Sequence, residues 1–450
     1  MKIFATLALL ILILIPLRIP AQEKPATKEQ LDEIKGALDA LSESAAEYRG
    51  YVDALRKIKI TGYLQPQFRY TEVLNSAYPI GSFSGGQFPA NTKNLFQVRR
   101  GRVKVNYDNG LTQFVIQIDA IQTGFTTKDA YLMITEPWAK SAGLQVGIFD
   151  RPFGYEVSYS SSNRETPERS RLFQTLFPGE RELGAKLFYA PPSGSLSFLR
   201  ADLGLFNGSG PTANEYDNFK DIIGHIAAQV PFDAIGAALD FGVSAYSGKV
   251  RNNTKFLYTP GDLPNGRKGF VVDSTASNLN AGVDRQYFGL DAQFYLDIPT
   301  IGGMILRGEY IAGKQPGTTS TSVSASAQPT TALYDRNFAG YYAYLIQNIG
   351  DRNQVVVKYD LYDPNTKADA SDFVATNTSG ASGLTATDIK YSTWGLGLVH
   401  HWDENVKFML YWEIVRNEKL SQLAGTTSSL RTYSEDVRDN VLTFRVQYKF

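Results

Sequence analysis

Three cations occupy alternate positions of "FQVRRGRVKVNY": Arg100, Arg102 and Lys104. Alternate residues of an extended strand share a face, so the three stack as a ladder. Arginine supplies a fixed charge and a fork of donors matched to carboxylate or phosphate oxygens, which makes the ladder a candidate anion track. By the same parity Arg69, Lys186, Arg200, Arg307, Lys358, Lys407 and Arg445 fall on the corresponding face of other segments, while Arg99 faces the opposite way. Asp119, Asp202, Asp240, Asp291, Glu309, Asp360 and Glu413 share that face, so a plainer reading is a solvated wall of mixed charge.

A second concentration lies in "RPFGYEVSYSSSNRETPERSRLFQTLFPGERELG", where Arg151, Arg164, Arg169, Arg171 and Arg181 alternate with glutamates around Leu172, Phe173, Leu176 and Phe177. Surface loops are mostly polar, so these apolar anchors predict that 151–181 folds inward as a constriction; an ordered surface cap is the alternative. Bond-making chemistry has little to work with. The only histidines are His225, His400 and His401, and neither a G-x-S-x-G elbow nor metal-ligand spacing accompanies them, so no enzyme, metal or cofactor is expected. Lys+Arg and Asp+Glu are equal at 45 each, which argues against nucleic acid as a partner.

These residues need elements to position them. The 450-residue chain has a mean hydropathy of -0.23, 26 Tyr, 26 Phe, 39 Gly and no Cys. Beyond the N-terminus it lacks an apolar stretch of about 20 residues, which excludes a helical membrane protein. "MKIFATLALLILILIPLRIPA" reads as an export signal over 1–21. In 22–57, Leu31, Ile34, Leu38, Leu41, Ala45, Tyr48, Val52 and Leu55 recur in steps of three and four, the seam of a coiled coil that wants partner helices.

From Ile58 the period switches to two. Strands are expected near 58–71, 96–107, 111–121, 128–136, 143–150, 182–190, 196–206, 220–232, 236–247, 285–298, 303–313, 338–348, 352–363, 389–402, 404–416 and 438–450, sixteen in all. Tight turns such as "DNG", "DAIG" and "NIGD" alternate without exception with long polar segments, so all long loops leave one end. One face of each strand is apolar and the other polar. A sheet of that many strands closes into a barrel too wide for side chains to fill, so the polar face meets water and the apolar face meets lipid. The class is all-β: a 16-stranded antiparallel transmembrane β-barrel over 58–450, preceded by a short coiled-coil helix. In 338–348 and 389–402 both faces are apolar, which leaves their register open.

"NLFQVRRGRVKVNY", "VGIFDRPFGYEVSYSSSNRETPERS", "FPGERELGAKLFY" and the aromatic-ended closing strand "NVLTFRVQYKF" resemble the phosphate-selective porin O and P family, over most of 58–450. The resemblance implies a trimeric outer-membrane porin of a Gram-negative cell with an inward third loop and a basic pore. It matches the family's paired arginines to Arg99 and Arg100. The expected function is passive diffusion of small hydrophilic solutes, anions such as phosphate among them. The lipid bilayer and sister chains, joined through barrel walls and the N-terminal helix, are the expected partners. A non-conducting structural or adhesive barrel is the alternative.

Overall fold

The computed structural model describes residues 27–72, 83–374 and 383–450. The expected signal at 1–21 lies outside the described residues. The chain divides into a helical unit ending at Lys57 and a second unit, Ile58–Phe450.

The helical unit is α1 (Lys28–Arg56). Its N-terminus is a reciprocal capping box: the Thr27 hydroxyl accepts from the Gln30 N–H (3.3 Å) and Gln30 Oε1 accepts from the Thr27 N–H (3.0 Å). Two donors that a helix start leaves unpaired are thereby satisfied. None of its residues is buried, and the seam from Leu31 to Leu55 is exposed.

The second unit is built from β1 (Ile58–Thr71), β2 (Asn94–Asp108), β3 (Thr112–Ile121), β4 (Gly124–Thr135), β5 (Ala142–Asp150), β6 (Arg181–Tyr189), β7 (Leu199–Phe206), β8 (Asp221–Phe232) and β9 (Ala237–Arg251). After a loop hairpin, β10 (Leu257–Asp262) with β11 (Lys268–Asp273), it continues through β12 (Gly282–Leu296), β13 (Met304–Gly317) and β14 (Leu333–Ile349). The wall ends with β15 (Asn353–Asp363), β16 (Tyr391–His401), β17 (Val406–Asn417) and β18 (Val441–Lys449). Strands β1–β9 and β12–β18 pair with their neighbours in sequence, β9 pairs with β12, and β18 pairs with β1 from Tyr63↔Lys449 to Thr71↔Val441. The result is a closed antiparallel ring of sixteen staves with no free edge, as a lipid-facing sheet requires.

Side-chain parity follows expectation. Leu290, Leu306, Leu345, Leu398, Leu410 and Phe444 are exposed on the outer face, and Gln67, Arg100, Asp291, Lys358 and Arg445 are buried within. The segments with two apolar faces resolve as well. Phe338, Tyr342, Tyr344, Ile346 and Val399 point inward into an aromatic cluster, whereas Tyr341, Leu345, Leu396 and Leu398 point outward.

Three expectations are corrected. Tight and long connections do not alternate without exception, because Gln122 and Thr123 alone join β3 to β4 at the loop end; β4 starts earlier than its alternation suggested. The polar stretch 248–284 contains the β10–β11 hairpin, which packs Phe270 against Tyr334 at the start of β14 and Leu384, Leu420 and Leu423 from other loops. Arg99 does not face outward. The β1–β2 register steps from Gln65↔Arg100 to Pro66↔Val98, leaving Arg99 as the extra residue of a bulge. Proline has no N–H to give the ladder, so strands tolerate it at such a break, and the extra residue resets parity. A second bulge between β3 and β4, where Gln117↔Asp129 is followed by Ile118↔Thr127, does the same to Lys128.

Candidate functional site

The segment 151–180 between β5 and β6 folds into the barrel. Its short helix α2 (Arg171–Leu176) supplies the anchors: Leu172, Phe173, Leu176 and Phe177 are each at most 1% exposed, packed with Phe153 of the same loop and with Tyr246, Tyr287, Phe338 and Tyr342 of the inner wall. Phe177 lies edge-on to Tyr287 at 5.7 Å and Phe173 edge-on to Tyr342 at 5.9 Å. This contact explains why one side of the lumen is aromatic: those side chains face the loop, so they are not required to be polar.

Segment 161–167 has little secondary structure of its own, so wall side chains satisfy its backbone. Gln65 Nε2 donates to the Ser161 carbonyl (3.0 Å), Gln447 Nε2 to Ser162 (2.9 Å), Lys407 Nζ to Ser162 and Arg164 (both 3.1 Å) and Arg445 Nη1 to Pro167 (2.7 Å). At the loop's start, the Glu309 carboxylate of β13 accepts the N–H groups of Tyr155 (3.1 Å) and Glu156 (2.6 Å) and the Tyr342 hydroxyl. Arg307 binds Glu165 (3.1 Å) and lies over the Tyr155 and Tyr159 rings. The loop is thus tied to β1, β9, β13, β14, β17 and β18.

Two cavities lie beside the loop and meet at Arg102 and Arg169, which line both; the smaller faces β2–β4, and the larger reaches across the barrel from β2–β7 to β9 and β12. The upper one, about 230 Å³, is enclosed between β2–β4 and the loop. Its charged lining is Arg99, Arg100, Arg102, Lys128 and Arg169 against Asp119, Glu168 and Glu180, five cations to three carboxylates. The lower one, about 760 Å³, is a vestibule at the turn end. It is lined by Arg102, Lys104, Arg151, Arg169, Arg181, Lys186, Arg200 and Lys449 against Asp129, Asp150, Asp202, Asp240 and Asp291, eight to five.

Most of these cations are paired. Glu168 receives Arg99 through Nε (2.9 Å) and Nη2 (3.0 Å), Arg100 through Nη2 (2.7 Å) and Arg445 through Nη2 (3.0 Å). Arg102 pairs with Asp119 (3.0 Å), and Asp202 accepts both Lys186 (2.9 Å) and Arg200 (3.0 Å). Arg181 bridges Asp129 (2.9 Å) and Asp150 (3.0 Å); it opens β6 and so belongs to the wall, not the loop. Arg169 binds Glu180 and the carbonyls of Glu156, Val157 and Tyr159. Arg151 donates to the carbonyls of Pro178 (3.2 Å) and Glu180 (3.3 Å). Burial opposes ionisation of Glu168, yet Arg100, Arg99 and Arg445 hold its carboxyl well below the usual carboxylate range.

The ladder therefore differs from a stack of free charges. Arg100 and Arg102 are neutralised by the loop and by β3, and of the three only Lys104 has no ion pair among the described residues. Arg164 and Arg445 are buried behind the loop. Arg69 donates to the Gly86 carbonyl (2.7 Å) and lies over Phe88, and Arg171 is sandwiched between Phe83 (4.4 Å) and Tyr391 (4.1 Å). Both belong to the loop end, outside the narrow passage. Sequence reasoning placed Arg99 outward by parity and did not single out Lys128; the bulges turn both inward. Pro66 within a strand pattern was the available signal for the first, and the adjacent charges Lys128 and Asp129 for the second.

No family model matches the chain, and no curated protein does. Solved structures do resemble it. The outer-membrane channel DcaP of Acinetobacter baumannii has a TM-score of 0.50 at 11% identity, over 87% of this chain and 97% of that one. Pseudomonas putida OprB has a TM-score of 0.54 at 8% identity, over 89% and 96%. An anion-selective porin from Comamonas acidovorans has a TM-score of 0.48 at 13% identity, over 87% and 99%. The chain has the fold of the outer-membrane channels of Gram-negative bacteria.

Proposed function

We propose that the chain is an outer-membrane porin through which small hydrophilic solutes diffuse passively, with anions such as phosphate favoured. The observation that carries this reading is the cationic excess of the two joined cavities, confined between the barrel wall and an inward loop. Charges lining a narrow, low-dielectric passage raise the local concentration of counter-charged solutes. Arg102 and Arg169 stand where the cavities meet, and Lys104 adds an uncompensated charge below them. In a planar bilayer under a salt gradient, replacing Arg100, Arg102 and Lys104 together by Gln moves the reversal potential toward the cation side, because Asp119 is then left without its partner. An unchanged potential would refute the anion preference, and a wild-type protein without conductance steps would support a structural or adhesive barrel instead.

The assembly we propose is a trimer joined through barrel walls and α1. A seam of eight apolar residues at heptad spacing is the pattern that knobs-into-holes packing buries. Replacing Leu38 and Leu41 by Asp lowers the temperature at which the detergent-purified oligomer dissociates, read by light scattering. An oligomer of unaltered thermal stability would remove α1 from the interface.

A further inference from the structure

The vestibule is polarised across its width as well as positive overall. In the ring of sixteen, β9 and β12 stand eight places from β1 and β2, so they form the opposite wall. On β9 and β12, Asp240 and Asp291 line the vestibule at neighbouring positions: Gln293 pairs with Asp240, and Gly242 with Asp291. Among the described residues neither forms an ion pair with Lys or Arg; Asp291 is bonded by His225 Nε2 (2.9 Å), and Asp240 has only the neutral side chains of Gln229 and Tyr295 as partners. Facing them, Lys104 on β2 and Lys449 on β18 line the same cavity. Lys449 Nζ binds only the Asn163 amide oxygen (3.0 Å), and neither lysine has a carboxylate partner among the described residues. The lumen's ion pairs close over a single hydrogen bond, as Lys358 does with Asp360 (3.0 Å) and Arg285 with Asp221. Among the described residues these four charges have no such partner, and they stand on opposite sides of the vestibule.

Separated walls of opposite sign make a transverse field, which an ion of one sign cannot use fully: it is drawn to one wall and repelled by the other. A solute carrying both signs lowers its energy at both ends when it aligns. We propose that the vestibule favours small zwitterionic amino-carboxylates, the carboxylate turned to Lys104 and Lys449 and the ammonium to Asp240 and Asp291. This rests on the porin reading and narrows its solute class.

The test compares swelling of liposomes containing the whole protein in 4-aminobutyrate and in 4-hydroxybutyramide, an uncharged solute of similar size. In the wild type the zwitterion enters faster than the amide. Asp240→Asn with Asp291→Asn lowers the zwitterion-to-amide ratio about fivefold, the worth of one close unit-charge contact in water, and Lys104→Gln with Lys449→Gln lowers it similarly. Potassium chloride conductance, measured on each preparation, establishes that the variant channels are assembled, and the single substitution Asp240→Asn gives the same direction if the pair does not insert. A ratio that stays level in conducting variants overturns this inference and leaves the porin standing. A wild-type protein that neither conducts nor admits either solute overturns both.

Discussion

Replacing Glu168 by Gln shifts the reversal potential strongly toward the anion side, several-fold in anion-to-cation permeability, and is the largest selectivity change expected from one atom-for-atom substitution. Glu168 is the hub on which Arg99, Arg100 and Arg445 converge, and its side chain is 3% exposed. Glutamine keeps the shape and removes the charge, so three guanidinium groups at the upper cavity lose their common counter-charge. Breaking a buried pair by removing one partner costs about 3–5 kcal/mol, and the loop segment around Pro167 loosens as the Arg100 and Arg445 contacts to its carbonyl weaken. The prediction is thus double: selectivity rises and the open-channel current becomes noisier. Anion selectivity equal to wild type would show that Glu168 lies off the permeation path.

The same cluster fixes a pH response. A carboxyl held below its ordinary value in the folded protein contributes stability that is complete above the unfolded pKa and is lost only as pH falls through the folded value. For Glu168 that loss falls below the usual carboxylate range, so its contribution to selectivity is flat from neutrality down to about pH 5, a little above the free-glutamate pKa of about 4.3. The glutamine variant should therefore differ from wild type across that whole interval.

What the sequence made legible was whatever repeats. Alternation along β3, β12 and β17 recurs with turn chemistry at "DNG" and "NIGD", and it locates every wall strand because each residue in a two-solvent barrel faces one of two environments. Arg100, Arg102, Lys186 and Arg445 face inward as parity requires. Parity fails where the count slips, and it slips at the two bulges, so Arg99 and Lys128 appear on the inside only once the β1–β2 and β3–β4 registers are known. Pairing is the other thing alternation cannot carry. That Arg100 meets Glu168 across 68 positions, or that Glu309 meets Tyr155 across 154, depends on where a long loop lands in three dimensions. The inward cations were found as a set, but whether each was free or neutralised was decided by a segment whose path has no periodicity.

That path depends on Glu309, the site of the second large effect. Replacing Glu309 by Ala raises single-channel conductance and broadens its distribution, because the loop's point of entry is unfastened. At that point the chain turns through Gly154 in the left-handed region (φ 57°), where a Cβ would strike the Glu309 carboxylate, so glycine and glutamate are fitted to each other. The Gly154 N–H is held by Ser244 Oγ at 2.8 Å, and the next two N–H groups are held by Glu309. Alanine at 309 leaves both of those donors and the Tyr342 hydroxyl without their acceptor, at about 1–3 kcal/mol for each group stranded out of water. The aromatic anchors Phe173 and Phe177 still hold the far end, so the loop is expected to pivot about α2 and widen the vestibule side. Glu309→Gln, which retains one acceptor oxygen, should fall between Ala and wild type in conductance, and Gly154→Ala should mimic Glu309→Ala by forcing the carboxylate away. Conductance that is the same in all four proteins would mean that the loop's position is set by its apolar anchors alone.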